Sequence, residues 1–580
     1  MHTQGLTKLW LPRDPAASSP AGEALVARVL RARGLMGDAA RDFLEPTLGK
    51  LHDPSLMPDL DKAAACMLEA ARSGKSIVIY GDYDVDGITA SAILYHVLTF
   101  VAPGANVATY VPHRMEEGYG LNAEALAKLA KDGADLIVSV DCGITAKAAS
   151  VALEGTSTQL IITDHHTPPT SEAELPLALA HVHPKRPGVA PYPFPELSGS
   201  AVAFKVAWRI ATLAAGSQRV GEEMRSLLLD VLALASLGVI ADVVPLRGEN
   251  RVIATFGLRR MRHTRFEGLN ALIEASGLAD AKVVEEDVGF KLGPRLNAVG
   301  RLGHAREAVE LLTTATGARA NAIAEQLSRL NDERRAGERK IFEQACELVE
   351  AKGMHTDGRR AIVLAHEEWH RGIVGIVCSK LVERYSRPTI LLQRHDGVCH
   401  GSGRSIEGFS LHAALEHCKD NLAQFGGHAM AAGMKIEDSR LDAFAEQFIE
   451  HCNTMLKPAD LKRTAKFDTV ASLAELNAMA VKQLDSLAPF GADNPRPMVR
   501  LGGICMVGRP QTFGSLNKHL SFTATTGPGS PGVRFFAWNW AEHIHKLPAG
   551  SAIEAIVSPK INTWSGRSSV ECEIVDVRIA

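Results

Sequence analysis

The sequence predicts an α/β protein: a parallel-sheet domain joined by a long helix to a smaller α/β domain, followed by a C-terminal β-barrel of the OB type. Three observations predict it. Short β-rich apolar runs alternate with helical ones from about residue 61, a proline-free and densely charged stretch runs from Thr316 to about Glu350, and closely spaced strands, glycines and aromatics fill the chain from about residue 465. A chain of 580 residues exceeds one core, so two to four domains are expected.

Residues 1–60, rich in Pro, Ala and charge, read as an N-terminal extension with short helical patches that packs on the core. In 61–315, the helical "DKAAACMLEAARSG" precedes the strand "SIVIYGD", and "GITASAILYHVLTFV" follows as a helix. Then come the strand "ANVATYVPHR", the helix "NAEALAKLAKDG", the strand "DLIVSVDCG", the helix-like "ITAKAASVALEG" and the strand "QLIITDHH". Such alternation indicates a parallel sheet with helices on both faces. Residues 200–315 read as mostly helical. In 316–350, Ile323, Leu327, Leu330 and Ile341 lie near helical spacing; this helix reads as a connector between domains, with an ordinary surface helix as the alternative. In 351–460, "RRAIVLAHEE" and "RPTILLQRHD" are strands around the helix "GIVGIVCSKLVERY". Over 461–580, runs such as "HLSFTATT" and "SSVECEIVDVRI", separated by turns, predict the barrel.

Composition limits the function classes. Hydrophobic residues make up 46% and charged residues 22%, an ordinary globular mix. The net charge of −3 supplies no global basic field, so a polyanionic partner must be held by local patches. Nine cysteines without a CxxC pair favour reduced, buried thiols over a disulfide framework or a zinc site. No targeting segment opens the chain and no apolar run approaches 18 residues, so the expectation is a cytoplasmic protein with no membrane association.

The unusual residues fall at strand ends. Asp82, Asp84 and Asp86 in "GDYDVDG" follow one strand, Asp141 a second, and Asp164, His165 and His166 a third. In open α/β sheets the carboxyl ends of the strands form the ligand-binding rim. Three aspartates so close repel one another unless a cation sits among them. An EF-hand loop is excluded, because its twelfth position, which must be Glu, is Ile93. No GxxxxGK[ST] follows either. A solvated acidic turn capping the next helix is the plain alternative. Mixed carboxylate and imidazole ligands suit Mn²⁺ or another transition ion, and carboxylates alone suit Mg²⁺ or Ca²⁺. This many ligands can hold two ions roughly 3.5–4 Å apart, a pair suited to activating water and stabilising an in-line phosphoryl displacement.

"GDYDVDG", "VDCG", "TDHH" and "LGVIADVVPL" resemble the four successive motifs of the DHH phosphoesterase superfamily. The resemblance implies Asp84, Asp86, Asp141, His165 and Asp242 as ligands of two Mn²⁺ or Mg²⁺ ions, with Asp141 bridging. It also implies Asp82 as a further site residue and His166 as the residue facing the scissile phosphate. "GSGRS" and "FGGHAMAAG" resemble the DHH-associated domain, whose glycine-rich loops hold phosphate and sugar; Ser402, Arg404, Ser405, Gly426, Gly427 and His428 carry that likeness. Glycines let the backbone approach a polyanion, and Arg404 and His428 bring charge or hydrogen bonds.

"PHRMEEGYGLN", "GPRLNAVGRLG", "WHRGIVGIVCSKL", "APFGADNPRP" and the barrel are similar to segments of the RecJ family, from roughly residue 20 to the end. The family's activity, 5′→3′ exonucleolytic release of 5′-mononucleotides from single-stranded DNA in repair and recombination, is what this resemblance implies. It implies further that DNA threads between the two α/β domains under the connecting helix. Arg114, Arg295, Asn297, Arg301 and Arg371 would then contact DNA, and Tyr119 would stack on a base or narrow the channel. Ion-paired arginines and ordinary packing of Tyr119 are the plain alternatives. Single-strand-binding protein and a RecQ-type helicase are the implied partners of a monomer. One residue departs from the pattern: His183 stands where Asn is expected. In 496–580, nine Lys or Arg against five Asp or Glu accompany Phe513, Phe522, Phe535, Phe536, Trp538, Trp540 and Trp564. Two or three of these aromatics are expected on DNA and the rest in the core. Two other functions compete, a phosphodiesterase of short oligonucleotides and a non-catalytic DNA-binding scaffold. The barrel and connector argue against the first, and the complete ligand set against the second.

Overall fold

The structure is a computed structural model that describes residues 3–15, 22–113, 117–118, 120–527, 529–564 and 567–580, with the side chains of 564 and 567 left aside. It divides into two units, Asp42–Arg334 with Pro489–Pro495, and Met1–Arg41 with Arg335–Ala488 and Arg496–Ala580.

The first unit is built on five parallel strands, β1 (Ile77–Gly81), β2 (Val107–Tyr110), β3 (Leu136–Val140), β4 (Gln159–Thr163) and β5 (Ala180–Val182), in the order β2-β1-β3-β4-β5. β1 and β3 are buried along their whole length, which is why they read as unbroken apolar runs and not as alternating ones. Ile77, Ile79, Leu136 and Val138 enter one core with the helices α1 (Val85–Val101), α2 (Gly199–Ala215) and α3 (Glu222–Ala241). Val78, Tyr80, Ile137 and Ile162 enter a second core on the opposite face. The strand order reverses between β1 and β3, and such a reversal opens a crevice at the carboxyl ends of the two strands.

Two sequence expectations need correction. α3 is long and apolar enough to cross a membrane by length and composition, with a mean hydropathy of 1.8, although no apolar run was expected to approach 18 residues. Most of it is buried inside this unit, so its hydrophobicity is satisfied by the core. The helix-like "ITAKAASVALEG" yields one helical turn, Lys147–Ser150, and a 3₁₀ turn, Val151–Leu153. The amide of Ile144 is drawn to Asp164, and Gly155, at φ 77°, turns the chain into β4.

The helix α4 (Gly317–Ala351) contains the division between the units, which falls between Arg334 and Arg335. In the second unit, a five-stranded sheet runs Gln424–Gly427, Ala431–Glu437, Val398–Arg404, Thr389–His395, Ile362–His366, with only the last pair parallel. The strands Val499–Phe513, His519–Thr525, Val533–Ala537, Arg567–Ile579 and Ala552–Trp564 pair in that order, and pairing of the first with the last closes a five-stranded barrel. The N-terminal strand Leu9–Pro12 pairs with Thr464–Phe467, and the buried Trp10 indole donates to Asp576 at 2.7 Å. All nine cysteines are free thiols, seven of them buried.

α2 carries a buried ion pair. Lys205 and Glu249 are both almost fully inaccessible, and the Lys205 ammonium also donates to the carbonyl of His52. Removing one partner of such a pair leaves a bare buried charge. Glu249→Ala is therefore expected to cost about 3–5 kcal/mol, and Lys205→Met with Glu249→Leu to recover most of it. Trp208 lies 5.1 Å from the ammonium, so its fluorescence in a denaturant titration reports the change; equal midpoints for the Glu249→Ala and native proteins would contradict the expectation.

Candidate metal centre

The acidic residues converge at the crevice between β1 and β3. Asp84 caps α1, its Oδ1 accepting from the amides of Asp86 (2.9 Å) and Gly87 (3.1 Å). Gly87 is required here, because a Cβ would overlap the backbone of Asp82. Asp86, in the first turn of α1, is held by the N-terminus of α2: Gly199 N donates to Oδ2 at 2.5 Å, and Ser200 N and Ser198 Oγ to Oδ1, each at 3.0 Å. That end of a helix favours a negative charge. Asp141 follows β3 in a left-handed conformation at φ 60°, which costs an L-residue about 1–2 kcal/mol. Asp242 caps the C-terminus of α3, the end that disfavours a carboxylate.

Asp164, after β4, accepts four hydrogen bonds, from the amides of Ile144 (2.9 Å), His165 (2.7 Å) and His166 (3.1 Å) and from His166 Nδ1 (2.8 Å). It shapes the loop and turns both imidazoles toward the carboxylates. His165 Nε2 lies 3.2 Å from Asp141, 3.5 Å from Asp242 and 3.8 Å from Asp86. Yet His165 Nε2 and Asp141 Oδ1 are buried and make no hydrogen bond, even to each other. Three sets of donors, Asp141 with His165 and His166, Asp86 with His165 and Asp242, and Asp82 with Asp84 and Asp141, each fit within 4.8 Å. Buried nitrogen and carboxylate oxygens that converge without hydrogen bonds match divalent cations in charge and donor type.

Burial, then repulsion from Asp86, pushes the carboxyls of Asp84 and Asp141 up, and the same causes push Asp242 up to about 8. Burial also pushes His165 down. Burial opposes the charge on His166, but its bond to Asp164 prevails and pushes it up to about 9. Asp164 moves oppositely: burial favours its neutral form, and the bond from His166 holds it well below the usual range.

Sequence reading missed the close packing behind these carboxylates. A Cβ on Gly199 would strike the Asp141 carboxylate, and one on Gly238 would strike Asp86 and Ser200. Their signal, small residues in "SGSA" and "SLG", is too common to stand out.

The expected substrate residues divide between the two units. In the unit of the metal centre, Asn297 Oδ1 accepts from Val85 N at 3.1 Å and so supports the acidic loop. Arg295 donates to Ser328 Oγ and the carbonyl of Lys291, and Arg301 is half-buried near the end of the helix Gly293–Leu302. Arg114 and Tyr119 lie outside the described residues. In the other unit, Arg371 opens the helix Arg371–Tyr385. Ser402 and Arg404 lie over Gly375 of that helix, where a Cβ would come within 3.3 Å of each side chain. Ser405 is buried and donates to the carbonyl of Phe409 at 2.7 Å. Gly427 has φ 137° and a Cβ there would overlap Ala431, whereas Gly426 faces open space and His428 is exposed.

Comparison with known proteins agrees with this architecture. The model of the DHH family N-terminal domain matches residues 76–236, that of the DHHA1 domain 358–454 and that of the RecJ OB domain 467–576. The fold and its rim thus define a DHH-family protein with an appended OB domain. The single-stranded-DNA-specific exonuclease RecJ of Bacillus subtilis is 37% identical over 96% of this chain and 68% of its own length. That of Dickeya dadantii is 33% identical over 97% of both. The crystal structure of RecJ in complex with Mn²⁺ from Thermus thermophilus matches with a TM-score of 0.78 and 31% identity, over 96% of this chain and 76% of that one. The chain belongs to the RecJ family.

The raised value of Asp242 has a consequence for stability. Folding favours its protonated form, so the stability that Asp242 contributes to the metal-free protein is lost as pH climbs from about 4 to about 8. A cation that displaces the protons reverses the trend. Mn²⁺ is expected to raise the melting temperature over an EDTA control more at about pH 8 than at about pH 6; equal shifts in differential scanning fluorimetry would contradict it.

Proposed function

We propose that this chain is a metal-dependent exonuclease that degrades single-stranded DNA from the 5′ end to 5′-mononucleotides, in DNA repair and recombination. The observation that carries the reading is the convergence of five carboxylates and two imidazoles at the sheet's switch point, in a chain 37% identical to a curated single-stranded-DNA-specific exonuclease. Asp84, Asp86, Asp141, His165 and Asp242 would hold two Mn²⁺ or Mg²⁺ ions, with Asp141, which takes part in two of the three donor sets, as the bridge. When bound, such ions activate water and stabilise the oxygens of an in-line phosphoryl displacement.

The chain's own groups act around them. The α2 amides fix Asp86, and Asp82 completes the carboxylate wall. Asp164 holds His166 through Nδ1 at 2.8 Å, so the other ring nitrogen is left to face a phosphate oxygen. Arg114, Arg295, Arg301 and Arg371 would pair with phosphates and Tyr119 with a base. Ser402, Arg404, Gly426, Gly427 and His428 would hold the terminal nucleotide, with Ser405 shaping the turn and Asn297 the acidic loop. The protein would act as a cytoplasmic monomer, with single-strand-binding protein and a RecQ-type helicase as partners.

The barrel supports a single-stranded ligand. Phe522 and Phe535 stack in its core 5.5 Å apart, while Phe513, Arg534, Phe536, Trp538, Lys560 and Glu571 line a recess of about 320 Å³, in which Arg534 pairs with Glu571 at 3.1 Å. Trp538 is 51% exposed, and the Arg534 guanidinium lies 5.4 Å from the Phe513 ring. Aromatic faces accept bases of any sequence, and here the flanking cations Arg534 and Lys560 are each shared with a carboxylate, Glu571 and Glu573. Trp538→Ala should weaken binding of a labelled oligothymidylate by about 1–3 kcal/mol in fluorescence anisotropy, and wild-type affinity would exclude this platform.

The enzymatic reading is tested on matched single strands labelled at the 5′ or 3′ end, in Mn²⁺, Mg²⁺ or EDTA. Immediate mononucleotide release from the 5′-labelled strand is expected, abolished by EDTA and reduced more than about 100-fold by Asp141→Ala, beyond the loss of a mere outer-shell partner. Intact long strands alongside cleaved dinucleotides would replace this function with a small-substrate phosphodiesterase.

A further inference from the structure

We propose that His183 is a positioning residue for the metal centre, acting through a hydrogen bond from its Nε2 to the carbonyl of His166. The inference rests on the metal reading above. Parallel pairing of Thr163 with Val182 makes the first residues after β4 and β5 neighbours, and Asp164 N donates to the carbonyl of Val182 at 3.1 Å. His183 therefore sits beside the loop that carries His165 and His166, and it is completely buried.

Its two ring nitrogens have distinct duties. Nδ1 accepts from the amide of Lys185 at 2.9 Å, so Nδ1 bears no proton and the hydrogen of the neutral ring is on Nε2. That hydrogen points to the carbonyl of His166, 2.8 Å away. The loop is then clamped from two directions. Asp164 gathers the amides of His165 and His166 on one side, and His183 holds the following carbonyl on the other. Between them, His165 Nε2 is kept within 3.8 Å of three carboxylates. Metal ligands tolerate displacements of only about 0.2 Å, so a slack loop would misplace an imidazole even where the protein stays folded. The competing explanation is a buried histidine that merely closes its own turn through Lys185.

Substitution separates the two bonds. In His183→Gln the amide nitrogen reaches to where Nε2 was and can donate to His166. In His183→Asn the shorter side chain can accept from Lys185, as Asn does in turns, but falls short of His166. The full-length protein would be titrated with MnCl₂ by calorimetry without DNA, and kcat and KM measured on 5′-labelled single strands. His183→Ala and His183→Asn are expected to lower Mn²⁺ affinity and kcat by about 10–100-fold, the usual effect of removing an outer-shell partner, with KM for DNA unchanged. His183→Gln is expected to recover most of both. Equal behaviour of the Asn and Gln variants, or wild-type Mn²⁺ affinity in His183→Ala, would overturn the proposal. Should the Ala variant fail to fold, the Asn and Gln pair decides alone. A native protein that binds no Mn²⁺ would overturn the metal reading and this proposal together, whereas native binding with equal Asn and Gln variants overturns only this one.

Discussion

Mutual repulsion among buried carboxylates is the constraint on which the catalytic unit depends. Asp82, Asp86 and Asp141 are each at most 2% exposed, and Asp84 and Asp242 crowd the same space. In water such charges would separate; here the backbone forbids it. β1 and β3 deliver them to one point, α1 begins among them, and α2 offers its positive end to one of them. The arrangement stores electrostatic energy that protons can relieve in part and divalent cations in full.

The rest of the unit keeps that geometry from relaxing. Gly87, Gly199 and Gly238 remove the side chains that would push the carboxylates apart. Asn297 ties the acidic loop to a helix from another part of the chain. The ion pair of Lys205 and Glu249 anchors α2, whose first turn grips Asp86. The rigidity of the site therefore originates largely in residues that never face a substrate.

β1, β3 and β4 were legible because they are apolar runs followed by Asp, whereas the three-residue β5, Ala180–Val182, is too short to stand out and was not read as a strand. The acidic cluster was legible for the same reason, and the structure brings its members together. What escaped was non-local. Nothing in "SGSA" announces that Ser198, Gly199 and Ser200 lie against residue 86, because that contact depends on the crossing of α1 and α2. Asn297 and Ser405 read as substrate residues from their motifs, and the structure adds that Asn297 braces a loop and Ser405 closes a turn. A motif marks a neighbourhood without telling which member touches the ligand. The short segment after Asp141 misled for a local reason, since its alanines favour helix while Asp164 holds the amide of Ile144 and the chain turns at Gly155, which leaves only Lys147–Leu153 helical.

The left-handed backbone at Asp141 bears on how such a protein changes over generations. Glycine would occupy that conformation without steric penalty, and asparagine at less cost than most residues. Either would also remove one of the crowded charges. Replacement of Asp141 is thus downhill for the metal-free fold, so only selection on what the site does keeps an aspartate there. A lineage released from that selection would drift easily toward sturdier, inactive descendants that keep the sheet, the barrel and every surface around the empty chemistry.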